Sequence, residues 1–211
     1  VLIDSISDLH GHYPELEGGD LLIVAGDLTA RDQPHEYAEF IEWIQKQKYT
    51  KKIVITGNHD GFIEAYSQWA ALADLGFEYL FDSVTEFEGL KIWGSPWTKT
   101  FPGMNPHCKA FTVDTEEELY DKFVQIPHDT DILVTHSPPA SHLDRTIQGF
   151  NVGSSSLKCI TQNNRIWPQL WVWGHIHESY GIEYVSDSIF VNASIVNERY
   201  QPVNKPIRIV L

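Results

Sequence analysis

Five short clusters carry the residue types that could do chemistry: Asp8-x-His10, Gly26-Asp27, Gly57-Asn58-His59-Asp60, His136 and Gly174-His175-x-His177. Together Asp8, His10, Asp27, Asn58, His136, His175 and His177 offer carboxylate, carboxamide and imidazole donors with no thiolate among them, and His59 is left over. Such a set suits divalent cations and is large enough for two adjacent ions. Two ions about 3.5–4 Å apart are well served by a bridging carboxylate and a bridging water, and Asp27 is the natural carboxylate. Residues two apart on an extended segment point to one side, so Asp8 and His10 can reach the same ion. A turn at Ile176 lets His175 and His177 serve different ions. Gly26, Gly57 and Gly174 allow the chain to turn tightly there. Each cluster taken singly is ordinary turn or cap composition. Their joint order carries the signal.

The elements that must position these clusters are legible from periodicity. Short apolar runs, Leu2 to Ser7, Leu21 to Ala25, Lys52 to Thr56, Asp131 to Thr135 and Leu170 to Trp173, each end at one cluster and read as strands. Apolar residues at helical spacing predict helices over Pro34 to Lys48 and Phe62 to Leu75, and a third begins near Thr115, whose hydroxyl can cap it. Alternating strands and helices predict parallel neighbours with ligands at the carboxyl ends. After residue 177 the runs Tyr180 to Val185, Ser188 to Ala193 and Ile207 to Leu211 read as antiparallel strands of a second sheet. The expected fold is an α/β four-layer αββα sandwich, two mixed sheets flanked by helices, as one domain over residues 1–211. The segment Ser95 to Asp114 has neither period and reads as a long functional loop, on which Trp97, Phe101, His107 and Phe111 could form a base-stacking wall.

Composition narrows the function. With 15 Lys plus Arg against 29 Asp plus Glu, the formal charge is −14. Affinity for nucleic-acid backbones comes from Lys and Arg neutralising phosphates, so long nucleic acids and anionic membrane surfaces are poor partners. No apolar run reaches a membrane span, and the stretch Val1-Leu2-Ile3 carries neither a positively charged n-region nor a small-residue cleavage site, so no signal peptide is expected in it. Cys108 and Cys159 are too few for a disulfide framework. A cytoplasmic location is expected. Oligomeric state is not written in the sequence. Of the other histidines, His12 follows the first cluster, His35 and His128 read as surface, and His107 and His142 sit in loops that could border a substrate.

The five clusters resemble the signature of the calcineurin-like metallophosphoesterase superfamily. Gly94-Ser95-Pro96-Trp97-Thr98, His136-Ser137-Pro138-Pro139, Leu143-Asp144-Arg145, Gly174 to Gly181 and Asn192-Ala193-Ser194 resemble its branch of metallophosphoesterase-domain-containing proteins. Carried over by position, the resemblance implies one metal held by Asp8, His10, Asp27 and His177, and a second held by Asp27, Asn58, His136 and His175. His59 would face the substrate, with Asp60 orienting its imidazole. Animal members of the branch often have glycine at the position of His175, so this chain is expected to keep a complete two-metal centre. Many have Gly-Cys where this chain has Gly153-Ser154.

The expected reaction is hydrolysis of small phosphodiesters such as cyclic nucleotides, the class associated with this branch. A bridging hydroxide attacks phosphorus in line, the ions and Asn58 hold the phosphoryl oxygens, and His59 protonates the leaving alkoxide. Manganese leads among the metals, and Fe, Zn, Co or Ni also fit. The two alternatives are a phosphomonoesterase or protein phosphatase of the same superfamily and a non-catalytic metal-binding scaffold. Fold alone does not choose among them.

Overall fold

Successive residues of a strand face opposite sides, so a strand apolar on both faces must lie between two packing layers. Leu21, Ile23 and Ala25 face one layer while Leu22 and Val24 face another. Likewise Leu170 and Val172 point one way, Trp171 and Trp173 the other. The computed structural model describes residues 1–65, 75–163 and 166–211. Its first half contains β1 (Leu2–Ile6), β2 (Gly19–Ala25), α1 (Pro34–Gln45), β3 (Tyr49–Ile55), α2 (Gly61–Ala65), β4 (Glu78–Tyr79), β5 (Ser83–Phe87) and β6 (Leu90–Ser95). Next come β7 (Thr98–Lys99), β8 (Thr112–Val113), α3 (Glu116–Phe123), β9 (Ile132–Thr135) and α4 (Ser155–Gln162). The chain continues with β10 (Leu170–Trp173), a 3-10 turn at His177–Ser179, β11 (Gly181–Val185), β12 (Ser188–Asn192) and β13 (Ile207–Val210).

The strands form two mixed sheets, ordered β13-β1-β2-β3-β4 and β11-β12-β10-β9-β6-β5, and β7 pairs with β8 separately. Between the sheets lies an apolar layer that includes Ile3, Ile23, Ile55, Ile92, Val134 and Val172. Outside the first sheet, Tyr37, Phe40 and Ile44 of α1 cover Leu22 and Val24. Outside the second, Leu119 and Phe123 of α3 and Leu157 and Ile160 of α4 cover Trp93, Trp171 and Phe190. This is the expected αββα sandwich. Helix α3 starts where the sequence predicts, with Thr115 Oγ1 accepting from the Glu118 amide at 3.1 Å and the Glu118 side chain reaching back to the Thr115 amide.

Two expectations change. β9 and β10 belong to the second sheet rather than extending the first. Of the C-terminal runs, only β11 joins that sheet antiparallel, because β12 runs parallel to β10 and β13 crosses back to pair antiparallel with β1. Helix α2 is seen over Gly61–Ala65, and the rest of the predicted Phe62 to Leu75 helix lies largely outside the described residues.

Parallel pairing aligns the exits. Ile6 is level with Val24 and Ala25 with Ile55, so the first three clusters leave one edge of the first sheet. Val134 is level with Val172 and Trp173 with Asn192, which brings the last clusters and Ser194 to the matching edge of the second. A bridge between Ser7 and Ser194, with the Ser7 amide donating to Ala193 O at 2.9 Å, ties the two sheets together at that end. The carboxyl ends of both sheets converge there.

Candidate metal centre

Asp8, His10, Asp27 and His177 are all buried, and each offers a ligand atom within 4.8 Å of the others. His177 Nε2 stands 3.3 Å from Asp8 Oδ1, and His10 Nε2 stands 3.7 Å from Asp27 Oδ2. On the other side of Asp27, His136 Nε2 lies 3.3 Å from Asp27 Oδ1 and 3.2 Å from Asn58 Oδ1. The His175 ring is 5.1 Å from that of His136. Asp27 thus sits between two groups of donors, and His175 and His177 fall to different groups.

The hydrogen bonds around these side chains decide which atoms are free. His10 Nδ1 donates to Thr29 O, His136 Nδ1 to Ala25 O and His177 Nδ1 to Asn197 O, at 3.3, 2.8 and 3.2 Å. A carbonyl can only accept, so the proton of each neutral ring is on Nδ1 and the Nε2 lone pair faces inward. His10 Nε2 and His177 Nε2 then face each other at 3.3 Å. Two lone pairs aimed at each other repel unless a proton or a cation lies between them. This donor set fits a divalent metal, and the same Nδ1 contacts are what holds ligating histidines in orientation.

Four of these residues, Asp8, His10, Asp27 and His175, have φ between 43° and 68°, the left-handed region costly for any residue with a Cβ. Their carboxylates repay part of it locally. Asp8 accepts from the His175 amide at 3.0 Å and from Ser194 Oγ at 2.5 Å, and Asp27 Oδ1 accepts from the His59 amide at 2.9 Å. Gly26, at φ 101°, makes the tight turn expected, but the other two glycines matter differently. Gly57 and Gly174 do not need a positive φ; a Cβ on Gly57 would strike the Asp27 carboxylate and approach His136 Nε2 to 2.6 Å, and one on Gly174 would strike Ser7 and Asp8. Close approach, rather than the tightness of the turn, excludes side chains at these two positions.

Asp60 is placed differently too. Its buried carboxylate accepts from the amides of Gly57, Leu28 and Thr29 at 2.8, 3.1 and 3.2 Å, clamping the second cluster to the third. The His59 ring turns Nδ1 toward Cys108 Sγ at 3.6 Å instead, so Asp60 acts on the loops and not on the imidazole. Asn58 Nδ2 donates to Cys108 O at 3.1 Å, which turns Oδ1 toward His136 and commits the amide nitrogen to the loop rather than to a phosphoryl oxygen. His59 itself opens on a cavity of about 760 Å³ that also exposes His10, Asp27, Asn58, His175 and His177.

Charge is concentrated here. Burial alone would raise Asp8, but His177 holds it well below the usual carboxylate range, and His136 does the same for Asp27. Burial opposes a charged His136, yet Asp27 lifts it to about 9, and Asp8 lifts His177 in the same way. Burial takes His10 down to about 4, and burial with the charge on His136 takes His175 down to about 3. Burial followed by Asp27 pushes Asp60 up to about 8 against its amide donors.

A metal must therefore displace the protons that Asp27 and Asp8 favour on His136 and His177, whereas His10 and His175 are already neutral. Each displaced proton makes affinity climb about tenfold per pH unit. Mn²⁺ affinity, measured by competition with a chromophoric chelator, is expected to rise steadily between about pH 6.5 and 8.5 and to level off near the His136 value. An affinity flat across that range would contradict this charge state.

One residue at the site was not visible in the sequence. Tyr200, from the turn before β13, sets its ring edge-on to His10 and His177 with centroids 4.7 and 5.1 Å away. No pattern marks it. Ser194, by contrast, lies in the Asn192-Ala193-Ser194 stretch already singled out, and its contact with Asp8 supplies the reason. Of the expected aromatic wall, Phe101 lines the cavity. Phe111 is buried and packs edge-on to Trp97, whose Nε1 donates to Asp82. His107 and His142 do not line the cavity, and His142 meets Glu183 at 3.2 Å. His12 does line it, with Nε2 donating to Tyr200 O at 3.0 Å.

Known proteins resemble this chain in sequence and in fold. The human metallophosphoesterase domain-containing protein 1 is 35% identical over 232 aligned positions, covering 98% of this chain and 69% of that protein. Among solved structures, TT1561 of Thermus thermophilus superposes with a TM-score of 0.61 at 17% identity, covering 90% of this chain and 88% of the other. The phosphopantetheinyl hydrolase PptH of Mycobacterium tuberculosis gives 0.57 at 18%, covering 94% and 90%. At such identities the structures show a shared fold. Residues 2–179, which hold all five clusters, match the calcineurin-like phosphoesterase profile, and the chain belongs to that family.

Proposed function

We propose that this chain hydrolyses small phosphodiesters, cyclic nucleotides foremost, at a centre of two divalent metal ions. The observation that carries the reading is Asp27 between two sets of inward-facing donors. Asp8, His10, Asp27 and His177 hold one ion, and Asp27, Asn58, His136 and His175 the other. The ions, manganese by preference, supply an acidified water and positive charge for the phosphoryl group. The chain's own residues do the rest. The Asp60 clamp sets the distance between the second and third clusters, and His59, on the cavity wall, carries a proton to the departing oxygen.

The surroundings favour a small anion over a polymer. Arg31 is the only Lys or Arg among the described residues lining the cavity, and its backbone is fastened by the Glu36 carboxylate, which accepts from the amides of Ala30, Arg31 and Gln33. Glu178 and Glu198 lie on the same lining. Together with the −14 overall charge they repel a long polyanion, while bound cations attract a single phosphate at short range. Among the described residues no helix is long and apolar enough to cross a membrane. The reading is of a cytoplasmic enzyme.

The test is a substrate panel with added Mn²⁺: para-nitrophenyl phosphate, its bis ester, and 2′,3′- and 3′,5′-cyclic nucleotides. Diesters and cyclic nucleotides are expected to turn over faster than the monoester. Faster monoester hydrolysis would replace this reading with a phosphomonoesterase, and no turnover of any substrate would leave a scaffold.

A further inference from the structure

A second cavity, of about 450 Å³, adjoins the first, and the two share Phe101, Thr146, His175 and Ile176 as walls. Its other lining includes Pro102, Leu119, Phe150 and Val152. Phe101 and Phe150 are 52% and 67% exposed, a costly state for large apolar side chains that face no partner. Neither is on a loose loop. The loop bearing Phe101 is fastened to the third cluster by the Asn58 bonds, Nδ2 to Cys108 O and Ala110 N to Asn58 O, at 3.1 and 3.2 Å.

The loop bearing Phe150 is closed on itself by the Thr146 amide donating to Phe150 O at 2.9 Å. It is also fastened to the last cluster. Arg145 N donates to Ser179 Oγ, Ser179 Oγ donates to Arg145 O, and Ile147 N donates to Glu178 Oε1, at 2.8, 2.8 and 3.0 Å. Each of the two loops is thus anchored by hydrogen bonds to a metal-binding cluster. That arrangement is what a rigid ligand subsite requires.

Charge on the wall says what fits. Lys99 Nζ is paired with Glu116 Oε1 at 2.8 Å, and Glu116 Oε2 accepts from Ser154 Oγ and from Ser156, so neither offers a free charge. An additional phosphate has no counter-ion here. We propose that this cavity is the subsite for the organic group of the ester, and that it takes an uncharged flat aromatic or heteroaromatic group against Phe101 and Phe150 while the phosphoryl group lies at the metal centre. This rests on the phosphodiesterase reading and adds a substrate preference to it.

Binding of phenylphosphonate and methylphosphonate to the Mn²⁺-loaded protein, measured calorimetrically, separates the two ideas. Neither is turned over, and the methyl compound reports the metal centre alone. Wild type is expected to prefer phenylphosphonate by about tenfold, as a ring stacked on aromatic side chains would gain. Phe150→Ala should remove most of that preference and Phe150→Trp should keep it, with thermal melting confirming that both variants fold. Equal affinities in wild type, or a preference that survives both Phe150→Ala and Phe101→Ala, would overturn the subsite and leave the phosphoesterase reading standing. Failure of both phosphonates to bind would overturn the two together.

Discussion

His59→Ala lowers turnover of a 2′,3′-cyclic nucleotide by about 10²–10⁴-fold and leaves the bound Mn²⁺ unchanged, the loss expected when a general acid is removed. The structure gives the physical grounds. His59 Nε2 is 3.9 Å from Asp27 Oδ2, its side chain is 12% exposed on the cavity wall, and its Nδ1 meets a thiol rather than a carboxylate. Its backbone amide, which holds Asp27, survives the substitution. The effect depends on the leaving group. An alkoxide needs the proton and a nitrophenolate hardly does, so the deficit should shrink on bis(para-nitrophenyl) phosphate. Wild-type turnover of the cyclic nucleotide by the variant would remove His59 from the mechanism, and loss of metal would make its role structural.

Asp27→Asn is expected to have the other large effect. The change is nearly isosteric and leaves an oxygen for the His59 amide, but it removes the charge shared by both donor groups. Loss of a partner that merely orients a ligand costs about 10–100-fold in metal affinity, and loss of the shared carboxylate should exceed the upper end of that range. Metal content after dialysis should fall, and turnover with it. In the metal-free protein the same substitution withdraws the anion that lifts His136 to about 9, so the His136 imidazole should titrate lower by NMR. Mn²⁺ affinity equal to wild type would show that Asp27 is not shared between ions.

Much of this molecule is written locally. The strands β1, β2, β3, β9 and β10 follow from apolar runs, because a strand buried on both faces has few ways to be spelled. The start of α3 follows from Thr115 and Glu118, since a capping box is a contact among four successive residues. The same holds for the clusters, whose donors appear at strand ends in a fixed order. What depends on neighbours distant in the chain was not legible. β13 alternates in burial like an edge strand of either sheet, and its pairing with β1 is decided by which edge is free after the two sheets pack. Asp60 beside His59 in sequence suggests a contact with its ring, but its carboxylate accepts instead from the Gly57 amide and, across the fold, from those of Leu28 and Thr29.

The family, the candidate donors and the layer types were legible in the residues alone, since each rests on residue identity, motif order and short-range period. What tertiary packing added is that the clusters from two different sheets close on Asp27, that Tyr200 packs against the histidines and that Phe101 and Phe150 line one cavity. Those are contacts between segments far apart in the chain, His10 and His177 by 167 residues and His12 and Tyr200 by 188. They exist because the inter-sheet core aligns the strand ends, and no local pattern records that alignment.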